Sequence, residues 1–170
     1  FRKVNTLIVD KTGTLTEGRP AFEQAIPVGD TKADEVLRLA ASLDQGSEHP
    51  LADAIVNAAH EQGLSLSAVN DFESGSGIGV RGQVDGKRLA LGNTALMDQE
   101  SVDVTIMASA AESLRTKGAS VMYLATDGQL TGLLAVSDPI KKSTQEALRD
   151  LKNAGIRVIM ATGDGVSTAK

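Results

Sequence analysis

The run from residue 7 to residue 16, Leu-Ile-Val-Asp-Lys-Thr-Gly-Thr-Leu-Thr, constrains this chain more than any other. A short apolar β-type segment, 6–9, delivers a single carboxylate, Asp10, into a polar loop of Lys11, Thr12, Gly13 and Thr14. In open parallel α/β sheets the reactive groups collect where strands end. A carboxylate placed there can attack a phosphoryl group and form an aspartyl-phosphate. The loop has the matching chemistry. Lys11 offsets negative charge, Thr12 and Thr14 offer hydroxyls, and Gly13 lets backbone amides turn toward phosphate oxygens. The competing reading is an ordinary strand followed by a polar turn.

Length and composition narrow the classes. At 170 residues with 41% hydrophobic content, the chain can bury one substantial core or two small ones. A net charge of −5 argues against nucleic acid as a partner. Four aromatics, Phe1, Phe22, Phe72 and Tyr123, are too few for a base-stacking platform. There is no cysteine, so disulfides, thiolate catalysis and thiolate metal sites are excluded. With His49 and His60 as the two histidines, tight binding of a soft metal is not expected. No apolar run approaches the ~20 residues of a membrane helix. The ends carry no terminal cap or tail, which reads as a piece of something larger.

Two blocks at the ends look like one domain split by an insertion. The first is 1–20. The second is 132–170, where an apolar strand at 132–136 leads through Ser137, Asp138 and Pro139 into a helix. Ile140, Ala147, Leu148 and Leu151 share one helical face, and Gly155 stops it. A buried-type strand at 156–161 then ends in Thr162, Gly163 and Asp164. This pattern predicts a βαβ unit with phosphate-binding chemistry at its strand end. Taken alone, Thr-Gly-Asp is also a common polar turn.

The middle, 21–131, changes to an α+β pattern. Helices are predicted at 35–43, 50–62 and 108–117 from apolar spacing, with Pro50 at a first turn. Asp85-Gly86 and Asp127-Gly128 are two-residue hairpin signals. Gly75, Gly77, Gly79 and Gly82 let backbone approach a ligand, or else mark a bulged strand in a small sheet. Gly77-x-Gly79-x-x-Gly82 formally fits the dinucleotide fingerprint. It is rejected because a hairpin follows, not a helix. His49, in a loop before a helix, is by itself most often a solvated residue.

Asp10-Lys11-Thr12-Gly13-Thr14 closely resembles the phosphorylation motif of P-type ATPases, members of the haloacid-dehalogenase-like superfamily. Soluble phosphatases of that superfamily carry a second aspartate two positions on, where this chain has Thr12. Ser47-Glu48-His49-Pro50-Leu51, Gly77-x-Gly79 and Gly92-Asn93 resemble the nucleotide-binding motifs of the heavy-metal class, class IB. Phrases such as Asp138-Pro139-Ile140-Lys141 are most similar to the copper and silver branch. Zinc and cadmium pumps share the catalytic motifs.

The resemblance implies an α/β fold: a partial Rossmann-type phosphorylation domain, 1–20 with 132–170, and an inserted α+β nucleotide-binding domain, 21–131. It implies ATP and Mg²⁺ as cofactors. Asp10, Lys11, Thr12, Thr162, Gly163 and Asp164 would serve catalysis, with Asp10 and Thr12 beside the metal. Asp44, Glu48, His49, Gly77, Gly79 and Asn93 would serve the nucleotide, with His49 against adenine. The family has a glutamate where this chain has Asp44. The resemblance also implies further parts of the same pump: an actuator domain, membrane helices, a Gly-Asp-Gly-x-Asn-Asp loop and a neutralising lysine. The piece would be the cytoplasmic part of an integral membrane protein, binding ATP but turning it over poorly and not holding the transported ion. The rivals are a soluble phosphatase with a cap domain and a non-catalytic nucleotide sensor.

Overall fold

The computed structural model describes residues 4–161, without the side chains of Lys11 and Thr12. Its largest element is a six-stranded sheet built from β2 (Ala21–Pro27), β3 (Val69–Gly75), β4 (Gly79–Val84), β5 (Lys87–Gly92), β6 (Ser120–Thr126) and β7 (Gln129–Ser137). The strand order is β2-β7-β6-β5-β4-β3, and the paired strands run antiparallel. Both hairpin signals are realised. Asp85 and Gly86, and likewise Asp127 and Gly128, all take positive φ, as a tight primed turn requires.

Both faces of this sheet are covered. On one face α1 (Ala33–Asp44) and α2 (Pro50–Glu61) pack Val36, Leu43 and Ile55 against Leu89, Leu91, Leu124, Leu134 and Val136. On the other, α3 (Thr94–Gln99) and α4 (Ala108–Thr116) pack Leu96, Met97 and Leu114 against Ala90, Tyr123, Leu133 and Ala135. Alternate residues of β7 therefore enter opposite cores, which is the period-2 rule of a strand buried on both sides. Burial of this kind contributes about 1.5–3 kcal/mol for each large side chain and is the main force holding the three layers.

A separate two-stranded sheet joins the ends of the chain. β1 (Thr6–Asp10) runs parallel to β8 (Arg157–Ala161), with Thr6 opposite Arg157 and Asp10 opposite Ala161. α5 (Thr144–Asn153) precedes β8 and ends at Gly155, whose φ is +74°.

Two expectations need correction here. The strand at 132–136 does not form a βαβ unit with 156–161. It lies in β7, hydrogen-bonded between β2 and β6, while β8 pairs with β1. Its unbroken apolar run reflects burial on both faces of an antiparallel sheet, a pattern shared with buried parallel strands. The following helix also starts later than Asp138-Pro139 suggests. Its first residue is Thr144, and Ile140 lies outside it, 65% exposed and bridged to Thr16.

Candidate functional site

Asp10 ends β1, exposed, and the chain then makes one π-helical turn over Lys11–Leu15. Gly13 sits in this turn at φ +76°, with open space where a Cβ would stand. Residues 138–144 hold the turn from outside. The Gly13 amide donates to Thr16 Oγ1 at 3.1 Å, and Thr16 Oγ1 donates to Asp138 Oδ2 at 2.6 Å. Asp138 Oδ1 accepts from the Arg19 amide. Lys141 Nζ donates to the Gly13 carbonyl at 2.6 Å, and Thr144 Oγ1 to the Leu15 carbonyl at 2.7 Å. Charge-assisted bonds of this kind are about twice as strong as neutral ones. The backbone beside Asp10 is thus fixed by residues about 125 positions away in sequence.

Asp138 therefore has a different task from the helix cap suggested by its sequence context. It caps the loop that follows Asp10, not α5. Thr16, Lys141 and Thr144 were not singled out by sequence. Thr16 and Lys141 lay inside recognised phrases, but only tertiary contact gives them a role. Thr162, Gly163 and Asp164 lie outside the described residues, as do the side chains of Lys11 and Thr12. The register brings the end of β8, at Ala161, level with Asp10.

A cavity of about 460 Å³ opens where α1, α2 and the β3–β4 turn meet β5 and β6. Five of the residues singled out for the nucleotide line it: Asp44, His49, Gly77, Gly79 and Asn93. Glu48 is exposed and stands outside this wall. Leu51, Ile78 and Met122 also line it and supply apolar surface. They carry no polar signature, so sequence reading had no means to separate them from core residues.

His49 is the N-cap of α2, and its Nδ1 accepts from the Leu51 amide at 3.1 Å. In the neutral ring this places the proton on Nε2, which leaves a donor available to a ligand. Asn93 is used in a similar double way. Its Oδ1 accepts from the Leu96 amide, and its Nδ2 donates to the Gly77 carbonyl at 2.9 Å. The amide side chain thus ties the start of α3 to the glycine turn and shapes the cavity rim.

The glycines have distinct reasons. Gly77 takes φ +72° with nothing within 4 Å of a notional Cβ, so its face toward the cavity is open. Gly79 and Gly92 pair directly across β4 and β5. A Cβ on Gly79 would strike the Leu91 carbonyl, the Gly92 Cα and the Leu96 side chain. Close approach of two backbones, rather than approach to a ligand, accounts for that glycine pair.

Asp44 is the last residue of α1 and is 4% exposed. Its Oδ2 is buried and has no hydrogen-bond partner among the described residues. Burial pushes its carboxyl up to about 7, because a charge there is stripped of water.

Comparison with known proteins places this geometry. A family model described as haloacid dehalogenase-like hydrolase matches residues 4–170. A copper-exporting P-type ATPase of Legionella pneumophila is 52% identical over 170 residues, which are 100% of this chain and 23% of that protein. A silver exporting P-type ATPase of Salmonella typhimurium is 46% identical over the same length and is covered to 21%. Among solved structures, a zinc-transporting PIB-type ATPase in the E2.Pi state superposes with a TM-score of 0.82 at 28% identity, covering 98% of this chain and 27% of that one. The catalytic domain of the CPx-ATPase CopB-B, studied for conformational change upon nucleotide binding, gives 0.71 at 29% identity, covering 98% and 56%. The chain spans about a fifth of the length of the curated relatives it matches.

Proposed function

Because the chain belongs to the haloacid dehalogenase-like hydrolase family, we propose that it is the ATP-binding catalytic headpiece of a P-type pump that exports Cu⁺ or Ag⁺. The observation that carries this reading is the cavity. Asp44, His49, Gly77 and Asn93 come from four stretches of chain and converge on one wall. A helix-capping histidine, an open glycine turn and a buried carboxyl suit a purine nucleotide better than a protein surface. The choice of metal rests on the relatives. Those at 46–52% identity are named as copper or silver exporters, whereas the zinc-transporting structure is 28% identical.

In this reading the inserted domain captures ATP and domain closure brings the γ-phosphoryl group to Asp10. An Asp10 carboxylate oxygen forms the new bond to phosphorus, and the bond to the ADP oxygen breaks. Thr16, Asp138 and Lys141 hold the loop that receives the phosphoryl group. In this reading Lys11, Thr12, Thr162, Gly163 and Asp164 serve the same transfer.

Among the described residues no cluster of three acidic or histidine groups could hold a metal alone. The donor set instead fits Mg²⁺, which takes one or two carboxylates together with phosphate oxygens. Asp10 and Thr12 would hold it, and when bound it neutralises charge on the transferring group. Among the described residues no helix is long and apolar enough to cross a membrane. The membrane helices and actuator domain belong to other parts of the pump, and this piece works on the cytoplasmic side.

Titration of the chain with a non-hydrolysable ATP analogue, followed by amide NMR, tests the reading. Shifts should cluster at residues 44–52, 75–79 and 91–93. Shifts confined to the neighbourhood of Asp10 would place the nucleotide elsewhere.

A further inference from the structure

β3 changes face partway along its length. Val69 lies opposite Val84, and both belong to the core under α1 and α2. In an unbroken strand, residues 71, 73 and 75 would follow Val69 to that face. The register slips instead: Asn70 faces Gln83 and Glu73 faces Arg81, one residue more on β3 than on β4. Ser74 then lies opposite Val80 and lines the cavity, and Phe72 packs against the α1–α2 core. The bulge thus moves the even-numbered positions to the helix face. Asp71 sits in it at φ +50°, a conformation that residues with side chains seldom take. Bulges beside functional sites commonly re-aim a side chain in this way.

Phe72 is aimed at one place. Gly46 lies in the turn between α1 and α2, which carries Asp44 at its start and His49 at its end. A Cβ on Gly46 would stand 2.8 Å from Cγ and Cδ2 of the Phe72 ring and 3.0 Å from Cε2. Gly46 does not take a positive φ, so lack of space, not backbone conformation, calls for glycine there. The rest of the turn is tied by hydrogen bonds. The Ser47 amide donates to the Asp44 carbonyl at 2.9 Å, and the His49 amide to Ser47 Oγ at 3.3 Å. Gln45 Nε2 donates to the Ser67 carbonyl at 2.9 Å. Phe72 itself does not line the cavity.

Resting on the nucleotide reading above, we propose that Phe72 is a positioning residue of the nucleotide site: aimed by the bulge at Asp71, its ring seats the turn at Gly46 and so sets where Asp44 and His49 stand on the cavity wall. It does this without touching the ligand. Strain such as that at Asp71 persists where the surrounding structure imposes it, and it concentrates beside functional sites. A bare glycine against an aromatic ring permits the closest approach of turn and sheet. A methyl group on the turn, or a ring exchanged for a branched chain, changes that spacing and moves the wall.

Calorimetric titration of the chain with ADP tests this, with urea denaturation of each variant alongside. Gly46→Ala changes an exposed position outside the cavity lining, yet it should weaken ADP binding by about five- to tenfold. Phe72→Leu should weaken binding by about threefold or more, whereas Phe72→Tyr keeps the ring and should keep wild-type affinity. The decisive variant is the double substitution. In the Phe72→Leu background the methyl group of Gly46→Ala meets no ring, so its effect should shrink to about twofold or less. Val84→Ala, in the same core but off the cavity wall, should lose stability and leave ADP affinity unchanged.

A Gly46→Ala chain that binds ADP as the wild type does would overturn the proposal. So would equal effects of Gly46→Ala in the two backgrounds, or a Val84→Ala chain weakened as much as Phe72→Leu, which would reduce the ring to core filling. Gly46→Ala removes no core volume, so its test does not depend on the other variants folding. A wild-type chain that binds no ADP would refute the nucleotide reading itself, which the other outcomes leave standing.

Discussion

Replacing Asp44 with asparagine should change how stability depends on pH, even without nucleotide. A buried carboxyl with a raised pKa stabilises the fold while protonated. Below the unfolded value of 3.8 the acid is neutral in both states and costs nothing. Between 3.8 and about 7 the unfolded chain releases a proton that the folded chain keeps, so stability falls as pH rises. Above about 7 the loss levels off. The interval corresponds to about 4 kcal/mol, of which about 3 are gone by pH 6. Asparagine has the same shape and does not titrate, so every other group cancels between the two proteins. Urea denaturation across pH 4 to 8 should show the variant gaining on the wild type by several kcal/mol. For a domain of this size that is roughly 10 °C in midpoint temperature. Two stability curves that stay parallel within about 1 kcal/mol would mean that Asp44 ionises freely in the folded protein, and the argument from its burial would fail.

Other substitutions separate the roles of neighbouring residues. His49→Ala should cost about 1 kcal/mol of stability through the lost cap, while His49→Asn should recover most of it; both should weaken nucleotide binding measured by calorimetry, and unchanged affinity would remove the ring from the site. Gly79→Ala should destabilise by about 3 kcal/mol or more, because its Cβ meets the Leu91 carbonyl and the Gly92 Cα, whereas Gly77→Ala should cost only about 1–2 kcal/mol from its positive φ. Chemical denaturation distinguishes the two, and equal costs would contradict the close-approach account. Asp10→Asn should leave nucleotide affinity of this chain nearly unchanged, yet abolish acid-stable phosphoenzyme in the full-length pump; phosphoenzyme that survives the change would remove Asp10 as nucleophile.

The sequence was most readable where local chemistry decides the structure. The Asp-Gly turns at 85–86 and 127–128 and the helix opened by Pro50 all stand where residue type and spacing put them. Three elements escaped. β2 is an edge strand with a register shift between Phe22 and Gln24 and a proline at its end. β3 is the opposite edge, polar, and interrupted near Asp71, whose φ is +50°. α3 has six residues, too few for a helical period to emerge. Edge strands can be polar because one side of their backbone lacks a neighbour, so the alternation that marks a buried strand is weak.

The misread segment at 132–144 shows why the candidate site was only half legible. An apolar run buried on both faces carries no record of whether its neighbours run parallel or antiparallel. Likewise, Ser137-Asp138-Pro139 has the composition of a helix start, and aspartate does act as a cap there, but for a distant loop. Its Oδ2 meets Thr16 and its Oδ1 meets the Arg19 amide. An acceptor seeks amide and hydroxyl donors wherever the fold presents them, and local sequence cannot name the recipient. The same holds for Lys141, whose ammonium closes on the Gly13 carbonyl. Motif residues that face a ligand can be named from residue type, whereas residues that hold the motif in shape emerge only from the contacts that bring 138–144 against 13–19. Removing one of those contacts, by Asp138→Ala, leaves Thr16 without the acceptor it meets at 2.6 Å and loosens the Gly13 turn. Amide exchange at Gly13 should then quicken while exchange in β4 and β5 stays unchanged, which separates loss of the loop from loss of the fold.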